Sequence, residues 1–148
     1  MRILRTIIAL MLLTVAAGSA TAQTLKAQKV YMFGFSLSFN DSTVYLTHIQ
    51  EVPNCYVNEK SNMLVSRGEY SSQLRHYLRT RGNQSPTCIT FWSTDRRKID
   101  KKYANIRTKY IDKAKIKYDI RYVKDDEFHY TAVPLANNGN AAATTNGK

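Results

Sequence analysis

The sequence predicts an α+β fold, a single mixed β-sheet with two helices packed on it in the order β-β-α-β-α-β-β. Large side chains alternate with small ones from Lys29 to Phe39, which is typical of a strand. Apolar residues recur at helical spacing in two later segments, 70–78 and 99–110. Residues 23–135 are long enough for one hydrophobic core and too short for two, so we expect a single domain.

The first two strands form a predicted hairpin. Asn40-Asp41 tolerates the positive φ of a two-residue turn, and the return strand from Ser42 ends before Pro53. The small residues on one face of the first strand leave room for a helix to pack closely. The two-residue turn predicts four cross-strand pairs: Phe39 with Ser42, Leu37 with Val44, Phe35 with Leu46, and Phe33 with His48.

The first helix follows an irregular segment, 54–65. Ser66 and Glu69 fit a capping box at its start, and Gly82 ends it. The residues expected on its buried face are Tyr70, Leu74, Tyr77 and Leu78.

A strand from Thr87 to Trp92 leads into the second helix, which Ser93-Thr94-Asp95 can cap and which extends to about Ala114. The next strands are predicted at 116–123, parallel to 87–92, and at 128–133 on an edge. We expect both helices on one side of the sheet, opposite the polar residues that face solvent. The residues expected on the apolar stripe of the second helix are Ile99, Tyr103, Ile106 and Tyr110.

Residues 1–22 read as a secretory signal peptide, with a basic start, a short apolar run and an Ala-x-Ala pattern that predicts cleavage after Ala22. No later segment approaches the ~20 apolar residues that cross a membrane. Residues 136–148 lack large apolar side chains and are predicted to be a disordered tail. The sequence therefore predicts an exported protein of the periplasm, cell surface or extracellular space.

Positive charge is concentrated in one segment. The chain has a net charge of +11, and residues 95–124 contain 12 basic and 4 acidic residues, a net of +8. Such a field favours an anionic envelope polymer or an anionic protein partner, although a solvated helix face gives the same pattern. The candidate binding residues are Lys98, Lys102 and Lys109 on the second helix, with Arg75 and Arg79 on the first.

Cys55 and Cys88 leave two alternatives open: a disulfide, which an exported protein permits, or two free thiols with Cys88 buried. An enzyme that uses Cys88 with His48 or His76 is the alternative to a binding domain. No catalytic residue, metal site or cofactor is assigned, because no known motif is present and the histidines are isolated. Nucleic acid is disfavoured because the export signal and the predicted burial of tyrosines argue against it.

The segments 33–45, 70–78 and 87–92, with the lysine-rich helix, resemble a group of small exported α+β proteins of Bacteroidota-type bacteria. The resemblance covers most of residues 29–130 and transfers no functional residue, because no activity is assigned to that group. The unit from Cys88 to Tyr122 also resembles the peptidoglycan-binding sporulation-related repeat, a likeness that many α+β domains share.

Overall fold

The computed structural model describes residues 24–38 and 40–135. The predicted signal peptide at 1–22, the predicted tail at 136–148 and Phe39 of the predicted pair with Ser42 lie outside these ranges. No helix within them is long and apolar enough to cross a membrane. The strands are β1 Leu25–Leu37, β2 Thr43–Thr47, β3 Gln50–Asn58, β4 Met63–Leu64, β5 Thr87–Ser93 and β6 Asp119–Val123. The helices are α1 Arg67–Thr80 and α2 Arg96–Arg107, which a π-helical turn at Thr108–Asp112 prolongs.

The α+β prediction is confirmed: the described residues form one mixed sheet with two helices. Neighbouring strands are hydrogen-bonded in the order β4-β3-β1-β2-β6. Strand β5 pairs with the edge of β1 that faces away from β2. Because β1 is antiparallel to β2 and β5, while β2 is parallel to β6, strands β5 and β6 are parallel, as predicted. Helix α2 connects them across the face of the sheet.

The two helices pack on opposite faces of the sheet, so the expectation that they share one side is wrong. Leu74 and Leu78 of α1 belong to a core with Val30 and Met32. Ile99 of α2 belongs to a second core built around aromatic side chains of β1. Successive residues of a strand point to opposite faces, and β1 is apolar on both, so each face requires its own cover.

The small-residue face of β1 receives α1 closely, as predicted. A Cβ atom added to Gly34 would lie 2.5 Å from Leu74 Cδ2 and also collide with the Tyr130 hydroxyl. Ser36, two residues on, is fully buried on the same face. The absence of a Cβ at Gly34 therefore allows the helix to approach the strand.

The register near the turn is as predicted, with Leu37 opposite Val44 and Phe35 opposite Leu46. The predicted pair of Phe33 with His48 does not form, because β2 ends at Thr47. There the Thr47 hydroxyl takes the place of a backbone hydrogen bond between β1 and β2. Its Oγ1 accepts a hydrogen bond from the Gly34 amide at 2.8 Å and donates to the His48 carbonyl at 2.9 Å.

Pro53 does not end a strand, and the segment after it is not irregular. Strand β3 continues to Asn58 because the register shifts between Gln28 and Val30 of β1, opposite Pro53 and Asn54. Asn54 has a φ of 58° at this bulge. A bulge is one of the few places where a sheet accommodates proline.

The helix starts lie close to the predicted positions, but only one cap forms as expected. Asp95 caps α2, its Oδ1 accepting from the Arg97 amide at 2.8 Å and the Lys98 amide at 3.4 Å. Ser66 adopts a left-handed conformation, with φ of 56°, and its side chain makes no capping bond. The capping-box prediction is therefore wrong, although Gly82 does end α1 with φ of 91°.

The last predicted strands differ from the structure. Strand β6 begins at Asp119, and Ile116 is 59% exposed. Residues 128–133 do not join the sheet; they form an extended strap over the α1 core, with Phe128 and Tyr130 buried.

Glutamine side chains fasten this strap in place of a strand. Gln50 donates from Nε2 to the Phe128 carbonyl at 2.7 Å and accepts at Oε1 from the Tyr130 amide at 2.8 Å. Gln73 makes the same two-point contact with the backbone of Thr131, at 2.9 Å each.

Candidate functional site

An open groove of about 720 Å³ runs along the free edge of β5. Its floor is the strand from Cys88 to Trp92, one bank is the start of α1, and the other carries Lys102 of α2. Because α1 and α2 cover opposite faces of the sheet, one flank of each helix borders the edge strand β5.

The lysines predicted on this flank of the second helix, Lys98, Lys102 and Lys109, are here called the α2 row; Lys102 lines the groove, and Lys109 lies in the π-helical turn that prolongs α2. The Lys102 ammonium lies 5.2 Å from the Phe91 ring centroid, and that of Lys109 lies 5.1 Å from the Tyr110 ring centroid. Their stems therefore lie along the apolar edge of the helix while the charged ends remain exposed.

The α1 bank consists of residues four apart on one flank of the helix, here called the α1 row: Arg67, Ser71, Arg75 and Arg79. Ser71 Oγ accepts from the Thr90 amide of β5 at 3.1 Å, which fixes the row beside the strand. Burial raises the pKa of the Cys88 thiol, and the charges of Arg75 and Arg79 oppose that rise, which places both arginines near this residue. Of the predicted cations, Arg75 and Arg79 thus lie near Cys88 on one side of β5, and Lys102 lines the groove on the other.

The field in the groove is of one sign. Arg67 and Lys102 are the charged residues among those that line it, and both are cations. The acidic residues of α2 lie elsewhere: Asp100 pairs with Arg96 at 2.9 Å, and Asp95 caps the helix. Within the described ranges, no lysine of the α2 row takes part in a salt bridge.

Cys55 and Cys88 are both buried free thiols, which is the second of the two alternatives. Cys55 pairs with Gln28 and Cys88 with Ser36, on opposite edges of β1. Those partners are eight residue steps apart along β1, which is about 26 Å at ~3.3 Å per step. A disulfide needs Cα atoms no more than about 7 Å apart, so the two cannot be bridged within one chain.

Cys88 lacks the surroundings of a nucleophile. Burial raises the pKa of its thiol and so disfavours the thiolate. His76 is exposed on α1, and His48 lies 3.9 Å from an Asp125 carboxylate oxygen. Neither imidazole makes a hydrogen bond to Cys88 in the described part of the chain. That part also contains no group of three or more potential metal-ligating side chains.

Three parts of the site were not anticipated: Arg67, Ser71 and the free edge of β5. The four-residue spacing of the α1 row is visible in the sequence and could have identified Arg67. The open edge depends on which strands pair, which no local pattern reports.

No protein-family model, curated protein or solved structure matches this chain.

Proposed function

We propose that this protein is exported and that its folded domain is a non-catalytic module that binds an anionic partner of the cell envelope. The partner binds along the edge of β5, between the α1 row and the α2 row. The observation that carries the proposal is the groove lined by Arg67 and Lys102, cations from two helices on opposite faces of the sheet, with no acidic side chain among its lining residues.

The placement of the cations supports binding rather than stability. Arg96, Arg97 and Lys98 occupy the first turn of α2, which contains no acidic residue. Arg67 occupies the first position of α1. The positive end of the helix dipole disfavours cations there by about 0.3–1 kcal/mol each. Residues kept at positions that cost stability are candidates for function.

Export rests on the sequence of residues 1–22. Its test is the N-terminal residue of the protein recovered from the periplasm or medium of its native cell. We expect Gln23 at that position. Intact protein beginning at Met1 and confined to the cytosol would contradict export and remove the envelope as the source of the partner.

Binding is tested by retention on purified peptidoglycan and on polygalacturonate as the salt concentration rises. Each lysine near an anionic surface contributes roughly 1 kcal/mol, so the triple variant Lys98→Ala/Lys102→Ala/Lys109→Ala should bind about 100-fold more weakly at low salt. Salt screens such contacts, so retention of the unaltered protein should fall steeply between about 0.05 and 0.5 M.

The matched control removes three cations away from the groove: Lys26→Ala/Lys60→Ala/Arg81→Ala. It has the same net charge as the triple lysine variant and should keep most of the binding. Equal losses in the two variants would show that net charge alone retains the protein, and the proposed site would be wrong. Equal retention of the lysine variant and the unaltered protein would have the same consequence.

A further inference from the structure

The edge of β5 presents backbone groups in the pattern of an unfilled strand position. Its register with β1 is unbroken from Leu37–Thr87 to Tyr31–Ser93. In an antiparallel ladder, alternate residues turn their amide and carbonyl groups away from the partner strand. The Thr90 amide bonds Ser71 on α1, so Thr90 faces outward, and by alternation Cys88 and Trp92 do so as well.

Apart from the Ser71 hydroxyl, which occupies the Thr90 amide, this edge lacks the devices that usually prevent strand addition. Natural edge strands are blunted by charged side chains, prolines or bulges. Strand β6 contains Asp119 and Arg121, and β3 contains Pro53 at a bulge. The sequence of β5 contains no charge, proline or glycine, and Ile89 is 48% exposed on it. No residue of 24–38 or 40–135 bonds the outward amides of Cys88 and Trp92.

We infer that the anionic partner is a polypeptide, an extended acidic segment of another protein that adds to β5 as a new strand of the sheet. This rests on the proposed function, because the same two rows supply the cations. A glycan would use the cations but leave the outward amides of Cys88 and Trp92 without partners. A second copy of this chain is disfavoured, because pairing two β5 strands would bring both sets of Arg67 and Lys102 together.

The geometry specifies where the carboxylates of the segment lie. Neighbouring residues of an added strand point to opposite faces of the sheet. One of two adjacent acidic residues would therefore face Arg67 on the α1 side, and the other would face Lys102 on the α2 side. Main-chain hydrogen bonds to β5 provide affinity, and this acidic pair fixes the register.

The probe is a blocked heptapeptide, Thr-Val-Glu-Glu-Val-Thr-Thr, titrated into the purified protein. Trp92 is the single tryptophan of the chain and lies in the groove, so its fluorescence reports on binding. We expect saturable binding, slower hydrogen exchange at the amides of Cys88 and Trp92, and at least fivefold weaker binding of the Gln-Gln peptide. Two further peptides are N-methylated on alternate residues, one set for each edge of the strand.

An added strand uses only one of its own edges, so one N-methylated peptide should lose binding and the other should retain it. The double variant Arg67→Ala/Lys102→Ala should weaken binding about fivefold, while Lys101→Ala, on the outer face of α2, should not. Equal binding of the unmethylated Glu-Glu peptide and both N-methylated peptides, weakened equally by the double variant, would overturn strand addition and leave the anionic partner intact. Failure of the peptide to bind while polygalacturonate binds would overturn the polypeptide partner. If the charge variants bind the peptide and polygalacturonate as tightly as the unaltered protein does, both proposals are wrong.

Discussion

Replacing Gln50 with methionine should destabilise the domain far more than the same replacement at Gln73. Both glutamines hold the strap at 128–133 by an amide that bonds one backbone carbonyl and one backbone amide. Gln50 is 3% exposed, whereas Gln73 is half-buried at the surface. The two substitutions therefore remove the same two backbone contacts, one pair buried and the other exposed to water; Gln50→Met also removes a 3.2 Å hydrogen bond from Nε2 to Asp125 Oδ1.

The magnitude follows from what is left without a partner. Gln50→Met preserves the approximate shape of the side chain but strands the Phe128 carbonyl and the Tyr130 amide. A buried polar backbone group without a partner costs about 1–3 kcal/mol, so the unfolding free energy should fall by roughly 2–6 kcal/mol. At Gln73, water replaces the lost bonds, and the expected loss is about 1 kcal/mol.

Urea unfolding monitored by circular dichroism measures both losses, with the slope of unfolding free energy against urea as a check on the denatured state. An unchanged slope with a lower midpoint indicates lost native stability. Equal losses for Gln50→Met and Gln73→Met, or a loss below about 1 kcal/mol for Gln50→Met, would refute the reasoning that burial makes this contact expensive to break.

Three further variants test the core, the pH response and the basic rows. The Ser36 hydroxyl is buried without a nitrogen or oxygen partner among the described residues, so Ser36→Ala should leave the unfolding free energy unchanged or raise it by about 1 kcal/mol. Thr47→Val removes a hydroxyl that is hydrogen-bonded, so it should lower the unfolding free energy by about 1–3 kcal/mol in the same urea assay. Burial raises the pKa of Tyr70 from 10 to about 12. Between those values the unfolded chain loses this proton before the folded one, so stability should fall as pH rises, by about 1.4 kcal/mol per unit, and Tyr70→Phe should make the fall shallower. Lys98→Glu should raise stability by about 0.5–1 kcal/mol through the helix dipole and yet weaken retention on polygalacturonate; a variant that loses both, or neither, would contradict a binding role for this lysine.

Much of the local structure could be predicted from the sequence, because it depends on neighbours in the chain. The alternation in β1 and the Asn40-Asp41 turn fixed the pairs Leu37–Val44 and Phe35–Leu46, both confirmed. Helical spacing identified Tyr70, Leu74 and Leu78, which are buried, and Ile99, which is fully buried. Periods of two and 3.6 residues are local properties that tertiary packing left intact here.

Other features depend on contacts between distant segments. Gln50 and Gln73 read as ordinary polar residues, yet they hold a strap 58 to 80 positions further along the chain. Side-chain amides can replace a backbone ladder, so residues 128–133 remained extended without becoming the predicted edge strand. A continuous strand through Pro53 was likewise hidden, because only the pairing of β1 with β3 shows that a bulge lies there.

The candidate site illustrates both cases. Lys102 lies on the flank predicted for it, against Phe91, because the α-helical spacing around it is local. Its convergence with Arg75 and Arg79 depends on β5 pairing with β1 between the two helices, which the sequence does not report.

Two features beside the groove do not favour the stability of the folded chain. An edge strand without charge, proline or bulge is exposed to unwanted pairing, and cations in the first turns of α1 and α2 oppose the helix dipoles. Each departure costs little, but both kinds occur beside β5, where Arg67 in the first turn of α1 lines the groove along the open edge. Departures from local consistency are expected where a protein binds something, because the bound partner supplies the compensating contacts. An acidic strand would correct both kinds at once: its backbone would pair the open edge, and its carboxylates would neutralise the cations.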